Sequence, residues 1–237
     1  MKVNDFIEQS KPFLTYMVEW AASLPTSSLE SVVNGQPDRV AVISVDVING
    51  FCYLGPLSSP RVAALVQPIT RLFKQCHAAG VRNFAVTQDA HAPDAVEFEN
   101  YPPHCIRGTA ESETVNSFKA LPFWDLFTVI PKQSINSAIG TGLNAWLDAR
   151  PEVDTLVAVG DCTDLCTYQL AMHLKLRGNA ANKKTRVILP VDCVDTYHLP
   201  VSAARDIGAV PHHGDFLHHV FLYSMMLNGM EVVATIN

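Results

Sequence analysis

One cysteine of this sequence stands where an enzyme often places a nucleophile. Cys166 ends the segment Gly160–Cys166, of sequence GDCTDLC, which follows the apolar run Thr155–Val159 and precedes a helix-like stretch over 168–176. A short apolar run that ends at a turn is typical of a buried parallel strand. Cys166 is therefore predicted at a helix N-terminus, where free N–H groups and the helix dipole favour a thiolate over a thiol. The alternative interpretation is a buried structural cysteine, which is the commoner case for a cysteine taken alone.

Ionisable side chains also follow three other apolar runs, at the points where predicted strands end. They are Asp46 after 40–45, Asp89 and His91 after 83–87, and Lys132 after 127–130. Asp is common in turns and Lys is usually solvated. Together with Cys166, however, four successive predicted strands are followed by such residues, and this forms a pattern. An open parallel sheet places its ligand site at the carboxyl ends of its strands, so we expect these side chains to meet.

Asp46, Lys132 and Cys166 together supply the groups that thiol chemistry needs. A nearby cation stabilises a thiolate, and a nearby carboxylate accepts and returns its proton. The backbone N–H groups of Cys162 and Cys166, at the predicted helix start, are placed to hold a developing oxyanion. The pattern therefore predicts nucleophilic catalysis by a cysteine.

The elements that would position these residues alternate between strand and helix. Apolar strands are predicted at 40–45, 83–87, 127–130, 156–159, 186–191 and 231–235, and helices at about 61–79, 142–149 and 168–176. This alternation predicts an α/β fold with three layers, α/β/α, doubly wound around a six-stranded, mostly parallel sheet. The loop over 88–111 is long for a compact domain, and loops of that length usually carry function.

Composition narrows the class of protein. The 237 residues are 48% hydrophobic and carry a net charge of −6, with no basic cluster that would indicate nucleic-acid binding. No apolar run is long enough to predict a membrane span, and the N-terminus is too acidic for a signal peptide. Six cysteines in a chain of this length are typical of reduced thiols. We therefore expect a cytoplasmic protein.

Three motifs resemble those of the isochorismatase-like cysteine hydrolases. They are 45–51 (VDVINGF), Pro131-Lys132, and 160–166 (GDCTDLC). The resemblance begins near residue 38, so it implies a catalytic domain over 38–237 behind an N-terminal helical extension over 1–37. Two positions depart from the family pattern, Ile48 where Gln is common and Thr167 where Val is common.

The resemblance implies a role for each residue already singled out. Asp46, Lys132 and Cys166 match the catalytic triad, and the backbone N–H groups of Cys162 and Cys166 match the oxyanion hole. It also implies a cis peptide bond before a residue that is not proline, between Asp161 and Cys162.

The long loop carries a candidate metal site. Asp89, His91, Glu97 and His104 offer a mixed nitrogen and oxygen set for one divalent ion, Zn²⁺, Fe²⁺ or Mn²⁺, with room for waters. The alternative interpretation is a solvated acidic loop with two unrelated histidines. The spacing of Asp89 and His91, and the segment Pro102–Cys105, are similar to the metal site of the nicotinamidases within this family. Glu97 is the weakest match, because that position varies among them.

The same similarity extends to the substrate. Phe51 and Tyr101 match aromatic residues that flank a pyridine ring in the nicotinamidases. The resemblance therefore implies hydrolysis of nicotinamide to nicotinate and ammonia through a cysteine thioester, a place in NAD salvage, and a homo-oligomer. Two alternatives stay open, a hydrolase of another amide, carbamoyl or ureido compound, and a metal-binding relative without activity.

A run of histidines near the C-terminus is not part of these motifs. His212, His213, His218 and His219 fall within eight residues. They could form a second metal site, but the pattern favours a loop and a helix start with Asp215 as N-cap and the histidines at the surface or capping.

Overall fold

The computed structural model describes every residue from Met1 to Asn237, and seven strands form its single sheet. In chain order the strands are β1 (Val40–Val45), β2 (Asn83–Asp89), β3 (Phe127–Lys132), β4 (Thr155–Asp161), β5 (Arg186–Pro190), β6 (Val194–Asp195) and β7 (Glu231–Val233). Their spatial order is β3-β2-β1-β4-β5-β7, β6 pairs with β4, and every pairing is parallel. The chain builds outwards from β1 to β3 and then crosses to β4. The boundary between β1 and β4 is thus the switch point at which such sheets bind ligands.

Ten α-helices accompany this sheet, and eight of them form the cores on its two faces. They are α1 (Val3–Ala22), α2 (Leu29–Val33), α3 (Asn49–Cys52), α4 (Pro60–Ala64), α5 (Val66–Ala78), α6 (Asn116–Lys119), α7 (Leu143–Asp148), α8 (Cys166–Ala180), α9 (Val201–Ile207) and α10 (Gly214–Leu227). Helices α2 to α6 contribute to the hydrophobic core on one face, and α7, α8 and α10 contribute to the core on the other. The predicted three-layer α/β architecture is confirmed.

The central strand shows why the sequence forms this sheet. All six residues of β1 are buried, with Val42 in one core and Ala41 and Ile43 in the other. A strand that is covered on both faces needs apolar residues at every position, which gives a continuous run rather than an alternation. The predicted bounds of this strand, 40–45, are confirmed for that reason.

The structure differs from the prediction in one strand and in several bounds. The sheet has seven strands rather than six, because a short turn over Val191–Cys193 separates β5 from the two-residue strand β6. Two residues are too few to produce a periodic pattern in a sequence. The helix predicted over 61–79 is two helices that meet at Leu65, and the sheet strands β3 and β4 extend to Lys132 and Asp161.

The N-terminal segment packs against the rest of the chain. In α1, the rings of Phe13 and Trp20 lie 5.3 and 5.2 Å from the ring of Tyr223 on α10, both edge to face. Val32 and Val33 of α2 belong to one hydrophobic core. Within residues 1–37, α1 and α2 are helical and Ser27 between them forms an isolated β-bridge with Ile236, while the separation of this segment as an extension remains a prediction. None of the helices has both the length and the apolar character that crossing a membrane requires.

Two strands approach each other closely just before the ionisable residues begin. Gly160 pairs with Val45 in the ladder between β4 and β1 and has a φ of +116°. A Cβ atom at Gly160 would lie 2.0 Å from the carbonyl oxygen of Val45. Only glycine fits this position, because both the backbone angle and the space exclude a side chain.

We predict that Gly160→Ala strongly destabilises the protein, by about 4 kcal/mol or more and about 10 °C in Tm, because the sheet must open at its centre. Gly142 is the matched control, since it has ordinary helical angles and nothing lies within 4 Å of its Cβ position. Thermal unfolding of both variants checks the prediction. Equal transition temperatures for the two would contradict it.

Candidate active site

The four ionisable positions of the sequence pattern meet at the carboxyl edge of the sheet. Asp46 directly follows β1, Asp89 and Lys132 are the last residues of β2 and β3, and Cys166 is the first residue of α8. Asp89 and Lys132 are direct neighbours in the ladder between their strands. The parallel register thus brings together residues that lie far apart in the sequence.

Lys132 lies at the centre of this group. Its Nζ is 2.7 Å from Oδ2 of Asp46, 2.5 Å from Oδ1 of Asp89 and 3.6 Å from Sγ of Cys166. All four side chains are buried, and Lys132 is among the largest fully buried residues of the chain. A buried ammonium is stable only with compensating partners, and the two carboxylates provide them.

The two carboxylates differ in their affinity for protons. Burial and the neighbouring charge of Asp89 raise the pKa of Asp46 to about 7, against the opposing effects of Lys132 and of a hydrogen bond with Cys166. Burial acts in the same direction on Asp89 and is the largest single effect, but the charges and hydrogen bonds of Lys132 and His91 together outweigh it and lower the pKa of that carboxyl. Asp46 is therefore the carboxylate of the pair that can exchange a proton near neutral pH.

Burial also decides the resting state of the cysteine. Burial, together with Asp46 and Asp89, raises the pKa of Cys166 well above its usual range, although Lys132 lowers it. Burial lowers the pKa of Lys132, but Asp46 and Asp89 outweigh this effect and hold that pKa well above the usual value. The site thus holds an ammonium and a neutral thiol. Burial and the two carboxylates thus act on the thiol against the thiolate that the helix N-terminus was expected to favour.

The turn between β4 and α8 presents two free amides beside Cys166. The peptide bond between Asp161 and Cys162 is cis, as the resemblance implied. The N–H groups of Cys162 and Cys166 donate to no acceptor in the protein, whereas the Cys162 carbonyl accepts from Leu165 and Thr167. Two unsatisfied donors on one turn are the arrangement that an oxyanion hole requires.

The long loop folds back so that its two predicted histidines meet Asp89. The N–H of His91 donates to the Cys105 carbonyl and its own carbonyl accepts from Arg107, which places His104 beside His91. One ligand atom from each of Asp89, His91 and His104 lies within 4.8 Å of the others, and all three residues are buried. Nε2 of His91 and Nε2 of His104 are 3.4 and 3.9 Å from Oδ2 of Asp89.

These three side chains fit a divalent metal ion. Both ring nitrogens of His91 are buried without a hydrogen-bond partner. Nδ1 of His104 donates to the Pro102 carbonyl at 2.8 Å, which leaves Nε2 as a free lone pair. Unpaired buried nitrogens are costly, and a metal ion would satisfy them together with the Asp89 carboxylate.

Three further predicted residues surround this group. Glu97 lies in a short 3-10 helix over Val96–Glu99, half-buried and outside the ligand group. The rings of Phe51 and Tyr101 lie 5.7 and 6.2 Å from the ring of His104. Phe98 was not among the predicted site residues, and its ring lies 5.6 Å from the ring of His104. Three aromatic rings thus pack around His104.

The C-terminal histidines differ most from their prediction. His212 and His218 are buried, and they contact Asp164 and Thr163 of the turn before Cys166. The N-cap of α10 is His213, whose ring accepts from the Phe216 N–H, so Asp215 is not the cap. Asp215 instead pairs with Arg61 at 2.6 Å, an attraction that its sequence neighbours do not reveal.

We predict that Lys132→Met lowers the free energy of unfolding by about 3 kcal/mol at pH 7, because two buried carboxylates lose their common cation. Urea denaturation measures the change. Lys119→Met is the control, since Lys119 forms an exposed pair with Glu113 and should matter little. Similar losses in the two variants would mean that the buried pairs contribute no more than a surface pair.

We predict that His91→Ala and His104→Ala leave the purified protein with substoichiometric divalent metal, whereas Glu97→Ala retains the wild-type content. Elemental analysis after dialysis measures the metal directly. Unchanged content in the two histidine variants would rule out this ligand group. An equal loss in Glu97→Ala would add that residue to it.

Comparison with known proteins agrees with this geometry. Residues 40–206 match the Isochorismatase domain family. Nicotinamidase 1 of Arabidopsis thaliana is 31% identical over 233 residues, which cover 90% of this chain and 93% of that protein. The nicotinamidase/pyrazinamidase of Mycobacterium tuberculosis is 29% identical over 178 residues, 70% of this chain and 93% of that protein.

A solved structure shows the same fold. The pyrazinamidase of Pyrococcus horikoshii in complex with zinc superposes with a TM-score of 0.63 at 19% identity, over 82% of this chain and 98% of that one. The family match spans most of the chain and includes the motifs around Asp46, Lys132 and Cys166. The chain therefore belongs to the isochorismatase-like family of cysteine hydrolases.

Proposed function

We propose that this protein is an amidohydrolase of the nicotinamidase type, which converts nicotinamide to nicotinate and ammonia through a thioester on Cys166. The observation that carries the proposal is that Asp89 joins two groups. It pairs with the buried Lys132, and it is one of the three candidate metal ligands with His91 and His104. Its similarity to two nicotinamidases supports the choice of substrate. A homo-oligomer, a cytoplasmic location and a place in NAD salvage remain predictions.

The first step forms the covalent bond. The Cys166 thiol gives its proton to the Asp46 carboxylate, and the sulfur electron pair bonds to the carboxamide carbon as the C–O π bond opens. The ammonium of Lys132, 3.6 Å from the sulfur, balances the charge as the thiol loses its proton. A base whose pKa lies near neutrality is suited to accept that proton and return it.

The oxyanion of this tetrahedral adduct accepts hydrogen bonds from the free N–H groups of Cys162 and Cys166. Each donor contributes about 3 kcal/mol in comparable sites. When the adduct collapses, the C–N bond breaks and Asp46 returns the proton to the departing ammonia. A water molecule then loses a proton to Asp46 and attacks the thioester, the C–S bond breaks, and Cys166 regains its proton.

Binding places the ring of the substrate between Phe51 and Tyr101, both of which lie against His104. Flat aromatic walls select a planar ring by stacking. A divalent ion held by Asp89, His91 and His104 would supply Lewis-acid coordination for a ring nitrogen, and the zinc in the Pyrococcus horikoshii protein supports that class of metal.

We predict that the full chain, loaded with Zn²⁺, Mn²⁺ or Fe²⁺, releases ammonia from nicotinamide, and that Cys166→Ala reduces the rate below detection. Cys76→Ala is the matched control, because Cys76 is a buried free cysteine of α5 in the core on the other face of the sheet from Cys166. It should retain wild-type turnover. Release by Cys166→Ala at the wild-type rate would contradict the assignment of the nucleophile.

The same assay separates the alternatives. A wild-type protein that leaves nicotinamide intact but has an alkylable Cys166 is a hydrolase of another amide, and carbamoyl and ureido compounds are then assayed. A folded, metal-loaded protein that hydrolyses none of these amides and in which Cys166 resists alkylation is a binding protein rather than an enzyme.

A further inference from the structure

The turn that carries the two free amides has few backbone hydrogen bonds of its own. Strand β4 ends at Asp161 and α8 begins at Cys166, so residues 162–165 belong to neither element. The N–H of Thr163 donates to the Asp195 carbonyl on β6, and the remaining internal bonds converge on the Cys162 carbonyl. The side chains of Thr163 and Asp164 are nevertheless buried. Each is bound by a histidine from a distant part of the chain.

Asp164 is held by His212. Nε2 of His212 is 2.7 Å from Oδ2 of Asp164, and its Nδ1 is 2.9 Å from the Tyr197 carbonyl oxygen. A carbonyl can only accept, so Nδ1 donates to Tyr197, and Nε2 faces the Asp164 carboxylate. The ring also stacks on that of Tyr197 at 3.8 Å, and its backbone pairs with Leu199 in both directions. His212 is thus fixed on three sides and presents one nitrogen to the turn.

Thr163 is held by His218. Its hydroxyl lies 2.8 Å from Nδ1 of His218, which stands near the start of α10. Burial lowers the pKa of His218 to about 4, against the raising effect of Asp195, so this ring is neutral at pH 7. A neutral buried imidazole forms a short, directed hydrogen bond without attracting counterions. The adjacent residues Thr163 and Asp164 therefore each have their own histidine partner.

We infer that His212 and His218 are positioning residues that hold the Cys162–Cys166 turn so that its two N–H groups point at the oxyanion. This inference depends on the proposed function for its substrate but not for its geometry. Neither histidine touches the thiol, so both act through Asp164 and Thr163. An oxyanion hole loses most of its effect when its donors move, because donors act only at hydrogen-bond distance from the developing charge.

Substitution by Asn or Gln tests the inference, because a general loss of stability would not give opposite preferences at the two positions. The terminal group of Asn can replace Nδ1 of a histidine, and that of Gln can replace Nε2. His212 contacts Asp164 through Nε2, so His212→Gln keeps the anchor and His212→Asn removes it. His218 contacts Thr163 through Nδ1, so the preference is reversed and His218→Asn keeps the anchor. His219→Gln is the control, because His219 bonds only within its own helix.

In the metal-loaded full chain, we expect His212→Asn and His218→Gln to lower kcat on nicotinamide about 10- to 100-fold, with KM nearly unchanged. The two anchor-keeping variants and His219→Gln should stay close to wild type. Alkylation of Cys166 by iodoacetamide should proceed at one rate in all of them, because displacement of iodide forms no oxyanion. Equal kcat for the Asn and Gln variants at each position, or a loss that appears in KM or in alkylation, would overturn the inference.

A second measurement is independent of the amide substrate. The Cys166 thiol adds to the C=O bond of propanal: sulfur bonds to carbon, and the oxygen takes the thiol proton. That oxygen then occupies the position of the oxyanion. Protection of Cys166 from iodoacetamide by propanal should weaken in His212→Asn and His218→Gln only. If the wild type does not hydrolyse nicotinamide, the proposed function fails. The ranking of the variants by the protection that propanal gives Cys166 still tests the inference. Equal protection in all variants would overturn it.

Discussion

The site depends on one buried cation with two carboxylate partners. Lys132 binds Asp46 and Asp89, and all three are almost fully buried. Removing three charges from water is favourable only if each has a partner at hydrogen-bond distance, so none of them can be placed independently. The register of β1, β2 and β3 sets those distances, and the cysteine is then added from the other side of the switch point. The sheet therefore determines the electrostatics of the site.

The charge balance divides the work between the carboxylates. Asp89 is shared between Lys132 and the two histidines, and its low pKa keeps it ionised as a candidate metal ligand. Asp46 has the raised pKa and the contact with the thiol. Two acids a few ångströms apart thus differ in role because their surroundings differ in charge, a pattern that other acid–base sites share.

The position of a residue directly after an apolar run predicted which side chains the sheet brings together. Asp46, Lys132 and Cys166 each follow an apolar run, and parallel strands bring such positions to one edge. The same logic could not predict the partners of Thr163 and Asp164, because 55 and 48 residues separate them from their histidines. His212 and His218 approach the turn through the packing of α10, and a run of histidines carries no periodicity that reports burial. The raised pKa of the Cys166 thiol could not be predicted for a related reason, since burial is a property of the fold.

The two sides of the candidate site are supported by different means. On the side of β1 to β3, backbone ladders position the side chains, and the last residues of β2 and β3 are neighbours in register. On the side of β4 the ladder ends at Asp161, yet the two amides must point inwards from a turn that no ladder can hold. Beyond the one backbone bond from Thr163 to Asp195, side-chain hydrogen bonds fix this turn, and in this chain they come from buried histidines. A site at a switch point needs both, because one half of it lies beyond the last strand that could orient it.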